Sequence, residues 1–402
     1  MKILIVTQYY YPENFKSNDL SFELQKRGHN VTVLTGLPNY PEGKIYEGYG
    51  PFQNRNQVIN DVKIIRSLLV PRGKGDGVRL FINYFSFAFF ASIRAFLLNF
   101  TQKFDAIIVH EPSPITQYYP AYLLNKLQKA PVYFWVMDLW PESLKTAGGI
   151  ESNLILGIFR RMVINFYKNS KRILITSKGF EKSILEKGNF AHKIEYFPNW
   201  AEEEIADGDK TFPIPMLPEG FKIMFAGNLG ESQDLENIMN AALLTNDFKH
   251  IKWIFVGDGR KMSYIKNFIE TYNLQETVII LGKYPMEAMA SFFDKADVML
   301  VSLKNDPIFN LTVPAKIQAY MSASKPIVAM LNGEGAEIIT EARAGVAVNA
   351  ADYKSLAQEV IKLSQLSSGT LLAMGINARK FFVENFRLEK CIDKLEEILN
   401  AK

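Results

Sequence analysis

Cysteine is almost missing from this chain: Cys391 is the single one in 402 residues. That excludes a disulfide framework and any cysteine-rich metal cluster. Histidine is scarce as well. His29, His110, His192 and His250 lie far apart, with no His-x₃-His or His-Glu-x-x-His spacing, so no metal site is expected. No GxxxxGK[ST] run is present, which excludes a P-loop. Neither sign of charge is in large excess, and a formal charge of +4 gives no argument for a nucleic-acid partner. No stretch reaches about 18 clean apolar residues, so a transmembrane helix is not expected. The opening MKILIVTQYYYPENF has too short an apolar run for a signal peptide and reads as a strand. The expected compartment is reducing and cytoplasmic.

What is there is ordinary globular sequence, 48% hydrophobic and 22% charged. Length suggests two or three domains at ~150 residues each. Short β-branched runs alternate with amphipathic stretches, the pattern of βαβ units around a parallel sheet. KILIVT (2–7), VTVLTG (31–36), VKIIRSL (62–68), DAIIVH (105–110), VYFWVM (132–137), RILITS (172–177) and KIEYF (193–197) form one series. Residues 201–220, rich in acids, Pro and Gly, interrupt it. KIMFAG (222–227), WIFVG (253–257), VIILG (278–282), DVMLVSL (297–303), KPIVAM (325–330) and AGVAVN (344–349) form a second series, and the tail is helical. The expected class is α/β: two Rossmann-like, doubly wound domains facing a cleft. Residues 1–200 form the first, 201–220 a linker and 221–385 the second, with a final helix at 386–402 packing back on the first.

Ligands of such sheets sit beyond the carboxyl ends of the strands, so the loops leaving those ends carry the chemistry. Gly227-Asn228-Leu229-Gly230 follows the strand KIMFA and precedes a helix, and Gly257-Asp258-Gly259 with Arg260 follows WIFV. Glycines there let backbone N–H groups approach a phosphate; the plain alternative is a strand-to-helix turn. The third glycine and ribose-binding acid of a dinucleotide fingerprint are missing, which disfavours an oxidoreductase. Lys316 lies in the first turn of a helix opened by Pro314, where the macrodipole favours an acid. A cation there points to an anionic ligand, or simply to solvent. Asp138 leaves the apolar strand VYFWV ahead of Trp140, Pro141 and Glu142. It is a candidate acid/base or hydroxyl acceptor, or else a helix cap. His110-Glu111 leave the neighbouring strand and are expected to point into the same crevice. Asp138, His110 and Glu142 are the catalytic candidates.

KILIVTQYYYPE, KRGHNVTVLTGLPNYPEG, MDLWPES, FPNW, FAGNLGESQDLENIMNAA, FVGDGRK, VPAKIQAYMSASKP and GEGAEIITEARAGVAV succeed one another from the first strand to the last helix. In that order they resemble the GT-B glycosyltransferases of family 4. The likeness is to the subgroup making bacterial O-antigen and capsular polysaccharides, including L-fucosamine transferases. The resemblance implies a retaining, metal-independent transfer from a nucleotide-diphosphate sugar, UDP-linked, held by the C-terminal domain. It implies a polyprenyl-diphosphate-linked saccharide as acceptor and no cofactor. By similarity Gly227, Asn228, Gly230 and Gln233 lie at the diphosphate, and Gly282 and Lys283 at the base. Lys316 and the backbone of Leu311, Thr312 and Val313 lie at phosphate or sugar, with Gly257 and Arg260 on the same side. Two departures stand out. Asn228 and Gln233 replace the Arg and Lys of many relatives, and Leu311 and Ala319 replace a pair of glutamates, so Glu334 is the candidate substitute. A nucleotide-sugar 2-epimerase, or a non-catalytic nucleotide-sugar-binding module, are the competing readings.

Residues 79–100, RLFINYFSFAFFASIRAFLLNF, are apolar almost all round a helix, which a helix packed on a sheet does not require. Arg66, Arg72, Lys74 and Arg79 stand nearby. That composition suits a helix lying in a membrane interface, with Phe81, Phe85, Phe89 and Arg94 in contact. The expected placement is peripheral, on the inner face of the cytoplasmic membrane; a packed helix is the alternative.

Overall fold

The computed structural model describes residues 1–75, 77–146, 149–201, 205 and 208–401. Residues 202–204 and 206–207 of the expected linker lie outside the described residues. The chain divides into two compact units, Met1–Phe197 with Ile392–Lys402, and Pro198–Cys391.

The first unit is built on β1 (Lys2–Val6), β2 (Asn30–Gly36), β3 (Asn56–Ile59), β4 (Val62–Ser67), β5 (Ala106–Glu111), β6 (Val132–Val136), β7 (Arg172–Ile175) and β8 (Ile194–Tyr196). Their order is β3-β4-β2-β1-β5-β6-β7-β8. All pairs are parallel except the β3–β4 hairpin. Every residue of β6 is buried, as expected for a strand covered on both faces. The hairpin is the element that apolar runs did not announce, because NQVI is short and partly exposed. Its signal was the turn: Asn60 and Asp61 both adopt left-handed φ, 47° and 62°, as a tight two-residue hairpin requires.

The helix Gly77–Thr101 buries Asn83, Phe87, Ala88, Ala91, Ala95 and Leu98 on one face. The three alanines allow close packing, and Asn83 is fixed by Gln8 Nε2 at 2.7 Å and by the Val70 carbonyl at 2.6 Å. By length and composition alone the helix is long and apolar enough to cross a membrane. Its inner face is nevertheless a packed one, with small residues and a tethered amide. Its outer face is bare: Phe81, Phe89, Phe96, Leu97 and Phe100 are all exposed. Phe85 is half-buried, its ring 4.4 Å from that of Phe81.

The second unit carries β9 (Phe221–Ala226), β10 (Ile251–Val256), β11 (Val278–Gly282), β12 (Val298–Ser302), β13 (Ile327–Met330) and β14 (Gly345–Val348). This sheet is wholly parallel, in the order β11-β10-β9-β12-β13-β14. Alternation along the strands feeds two cores. Met224, Ile254, Val256, Met299 and Val301 pack with Ile317, Tyr320 and Met321 on one side. Ile223, Phe225, Trp253, Phe255 and Leu300 pack with Leu235, Ile238 and Val360 on the other. Period-2 side chains buried on both faces explain why these strands read as nearly continuous apolar runs.

The helical tail is two helices, Ser368–Asn385 and Leu388–Asn400. From Ile392 onward the second belongs to the first unit, burying Ile392, Leu395 and Leu399. There Arg27 donates to Asp393 and Glu396, both at 2.7 Å, and the Tyr133 hydroxyl donates to the Leu399 carbonyl at 3.2 Å.

Candidate active site

In the second unit strand order reverses between β9 and β12, and the glycine turn leaves β9 at that point. Gly227 has a φ of +127°, and a Cβ there would lie 3.1 Å from Lys316 Cε. Gly257, with a φ of +145°, is packed so tightly that a Cβ would meet the Gly227 carbonyl oxygen at 1.9 Å. Only glycine fits either position. The Leu229 N–H donates to the Asp258 carbonyl at 2.9 Å, so the two turns brace one another. Between them opens a cavity of about 460 Å³, lined by Gly227, Asn228, Gly257, Lys283, Tyr284 and neighbours.

Lys316 is held beside Gly227 by its own helix, Ala315–Ser322. The Tyr320 hydroxyl accepts the Ala226 N–H at 3.1 Å and donates to the Ala226 carbonyl at 3.2 Å, locking the helix to the end of β9. Lys316 Nζ then donates to Gln233 Oε1 at 2.6 Å and stands 4.6 Å above the Phe225 ring. Burial pushes its pKa down to about 8, so the ammonium is still mostly charged at neutral pH. A short 3₁₀ turn, Phe309–Leu311, is followed by Thr312, whose hydroxyl donates to the Phe309 carbonyl at 2.9 Å. Glu334 is buried at the start of the helix Glu334–Glu341. Gly333 before it lies where a Cβ would meet the Asn310 carbonyl oxygen at 1.8 Å, so the Glu334 turn is pressed onto the segment carrying Leu311, Thr312 and Val313. Arg260 is exposed and outside the lining of the cavity. Ala319 is buried core.

In the first unit the reversal lies between β1 and β5. Asp138 follows β6 and accepts hydroxyl hydrogen bonds from Ser113 at 2.8 Å and from Ser143. Trp140 Nε1 donates to the same Ser113 oxygen at 3.0 Å. Burial raises the pKa of Asp138 despite those donors. Glu111, fully buried, is raised further by burial and by the charge of Asp138. Two catalytic candidates are corrected. The His110 ring does not open into the crevice: it is wholly buried, 4.6 Å from the Trp135 ring, with Nδ1 3.3 Å from the Thr7 hydroxyl. Burial, with Lys16 nearby, pushes its pKa down to about 3, so it stays neutral. Glu142 is tied to the buried ammonium of Lys187 at 2.5 Å and accepts from Ser183 at 3.0 Å, which makes it a counter-ion.

Sequence reading missed what surrounds Asp138. The Tyr84 hydroxyl lies within the fields of Arg72, Asp138, Glu111 and Tyr40, and burial pushes its pKa up to about 12. The Arg72 guanidinium stacks on Tyr40 at 4.9 Å, and the Arg72 backbone N–H donates to Asn39 Oδ1 at 3.1 Å. Glu13, 3% exposed, accepts the N–H groups of Tyr10, Asn39 and Tyr40 at 3.2, 2.7 and 2.6 Å, clamping the loops after β1 and β2. Arg72 and Glu13 stand in loops that leave strand ends, which was their one signal; Tyr84 lies inside the helix Gly77–Thr101 and had none. Among the described residues no group of three His, Cys, Asp or Glu side chains is placed to hold a metal ion.

Glycine turns backed by a helix-borne lysine in the second unit, and a half-buried carboxylate at a strand end in the first, suit nucleotide-sugar chemistry, and family comparison agrees. Residues 17–200 match the glycosyl transferase 4-like domain, and residues 220–365 match the glycosyl transferases group 1 domain. The chain is a glycosyltransferase of the GT-B fold, carrying both of these domains. It is 30% identical over 239 residues to a glycosyltransferase named WbjE of Pseudomonas aeruginosa, covering 54% of this chain and 57% of that one. It is 28% identical over 337 residues to a colanic acid biosynthesis glycosyl transferase named WcaI of Escherichia coli (strain K12), covering 79% and 80%. Among solved structures, HepE of Anabaena in complex with UDP aligns over 100% of both chains with a TM-score of 0.71 and 13% identity. Sucrose-phosphate synthase from Thermosynechococcus elongatus aligns over 99% and 98% with a TM-score of 0.72 and 14% identity. At those identities the likeness is one of fold.

Proposed function

We propose that this protein transfers a sugar, with retention and without a metal, from a UDP-sugar to a polyprenyl-diphosphate-linked saccharide during synthesis of a bacterial surface polysaccharide. The observation that carries the reading is the cradle of Gly227, Gly257 and Lys316 at the reversal point of the second sheet. The leaving diphosphate needs positive charge in a dry site, and Lys316 with the backbone N–H groups of the glycine turn supplies it. Lys283 and the cavity beside it suit the base. Asn228 and Gln233 are neutral, so Lys316 is the cation committed to the phosphates, and Gln233 orients it. Asp138, held by two serines, receives the acceptor hydroxyl and orients it for attack on the face the diphosphate leaves. An N-acetyl-L-fucosamine or another acetamido sugar is the donor class the subgroup resemblance favours. The names of the polysaccharide relatives support the acceptor class.

A 2-epimerase of the same architecture needs a histidine at the strand ends. His110 is buried and neutral, and His29, His192 and His250 precede β2, β8 and β10 at the opposite edges. The bare face of the helix Gly77–Thr101 supports peripheral attachment to the inner face of the cytoplasmic membrane, where such an acceptor is presented. Nucleotide release from a panel of sugar nucleotides, with and without lipid-linked acceptor, tests the function. Release that depends on acceptor is expected; conversion of the sugar without acceptor, or binding without release, contradicts it.

A further inference from the structure

The cradle and the Asp138 crevice lie at the carboxyl ends of strands. The N-terminal edge of the first sheet holds something else, a cavity of about 1000 Å³. It lies between the starts of β1 and β4 and the last turns of the helix Gly77–Thr101, and Lys2, Lys63, Arg94 and Lys103 line it. Among the described residues of the lining none carries a carboxylate. Asp105, next along the chain, is engaged by the Lys2 N–H at 2.6 Å, and Lys103 Nζ reaches the Asn99 amide oxygen at 3.4 Å. Arg94 Nε is buried without a hydrogen-bond partner, and the Arg94 charge helps hold the Arg55 guanidinium below its usual pKa, second to burial. Four cations lining one cavity, with no carboxylate among its lining, favour a bound anion there.

The rim of this cavity is what selects the anion. Leu97 lines it, and Ile93, Phe96 and Phe100 stand exposed on the same turns of the helix. A free phosphate or a nucleic acid has no use for Leu97 in the lining, or for the bare apolar side chains that the same turns of the helix carry. A phospholipid, with its acyl chains joined to a phosphate, uses both. We infer that this cavity is a binding site for the phosphate headgroup of an anionic membrane lipid, seated where the bare face of the helix meets the acyl region. The inference rests on the membrane-attached reading of the helix and adds a defined site to it. The helix then touches the membrane along its whole length. Its Phe81 end lies by the strand ends of the Asp138 crevice, through Asn83 and Tyr84, and its Phe100 end seats a lipid.

Vesicle co-sedimentation of the full chain tests this, using phosphatidylcholine alone and phosphatidylcholine mixed with phosphatidylglycerol. Each cation close to an anionic surface adds a factor of about five in affinity. The triple variant Lys63→Gln, Arg94→Gln, Lys103→Gln is therefore expected to lose about a hundredfold on the mixed vesicles. A control removing Lys129, Lys168 and Lys182, exposed lysines elsewhere on the same unit, is expected to bind as wild type does. Lys63→Gln with Lys103→Gln, both surface positions, covers the case in which the Arg94 change unfolds the chain; about 25-fold is expected from it. Soluble glycerol phosphate is expected not to compete. If wild type binds the mixed vesicles and the triple and double variants bind equally well, the site is overturned and attachment stands. Equal losses in the control overturn the site in favour of diffuse charge. Displacement by glycerol phosphate makes it a soluble-phosphate site and overturns the lipid assignment. Wild type that binds neither vesicle overturns both the site and the attachment.

Discussion

At the residue scale two carboxylates of the first unit, Asp138 and Glu13, are separated by their surroundings. Asp138 is held by hydroxyls, which leaves it free to exchange one for a sugar hydroxyl. Asp138→Asn keeps the shape and removes the charge. It should preserve the melting temperature and lower transfer by a factor of about 10²–10⁴, the range for removing a positioned proton acceptor; unchanged turnover in the folded variant would reduce Asp138 to a structural acceptor. Glu13 instead clamps backbone, and burial, against its three N–H bonds, pushes its pKa up to about 7 from 4.5. A group raised in the folded state stabilises below its unfolded pKa, and the contribution is lost as pH climbs through the folded one. Stability should fall between about pH 4.5 and 7 by something on the order of 3 kcal/mol from this residue. Glu13→Gln should flatten that slope in denaturant titrations across the window; an identical slope in the variant would refute the assignment. Of these two, only Asp138 was legible beforehand, because it directly follows an apolar strand. Glu13 acts through loops after β1 and β2, 26 residues apart in the Asn39 contact, and nothing local in YPEN announces that.

At the scale of elements, the strands of both parallel sheets were legible because burial on both faces demands unbroken apolar runs. The glycine cradle was legible for a related reason. Glycines that no other residue can replace mark the closest backbone approaches, and two of them sit together at the end of β9 and β10. The crevice around Asp138 was not, since Arg72, Tyr84, Ser113 and Ser143 come together only through the order of strands. The helix Gly77–Thr101 divides the difference: its composition announced an apolar surplus, and only its packing reveals which residues are surplus. Phe87 is wholly buried and Phe89 is 63% exposed. Phe87→Ala should therefore cost about 3–5 kcal/mol of stability. Phe89→Ser with Phe100→Ser should leave thermal unfolding nearly unchanged and release the protein from vesicles. Equal destabilisation by both sets would mean that the outer face is packed after all.

At the scale of the whole molecule, the chain closes its first unit with its last residues. Ile392, Leu395 and Leu399 are buried there, and Arg27 and His29 hold Glu396, the histidine at 2.7 Å. Burial would raise the Glu396 carboxyl, yet these two bonds prevail and lower its pKa. Removal of residues 388–402 should thus weaken the N-terminal unit, by at least about 5 kcal/mol for three buried aliphatic side chains, and expose its amides to hydrogen exchange. Exchange that quickened only in residues 221–385 would contradict that division of the chain. Function is divided in the same way: the second unit alone carries the glycine turns and Lys316. The central claim is that this cradle binds the nucleotide diphosphate through the Lys316 ammonium, and calorimetric titration with UDP tests it most directly. Wild type should bind UDP with an affinity that falls as pH rises through about 8, where Lys316 loses its proton. Lys316→Ala should bind about 1–3 kcal/mol more weakly and lose that pH dependence. Equal affinity in the folded variant, with the same pH profile as wild type, would contradict the claim.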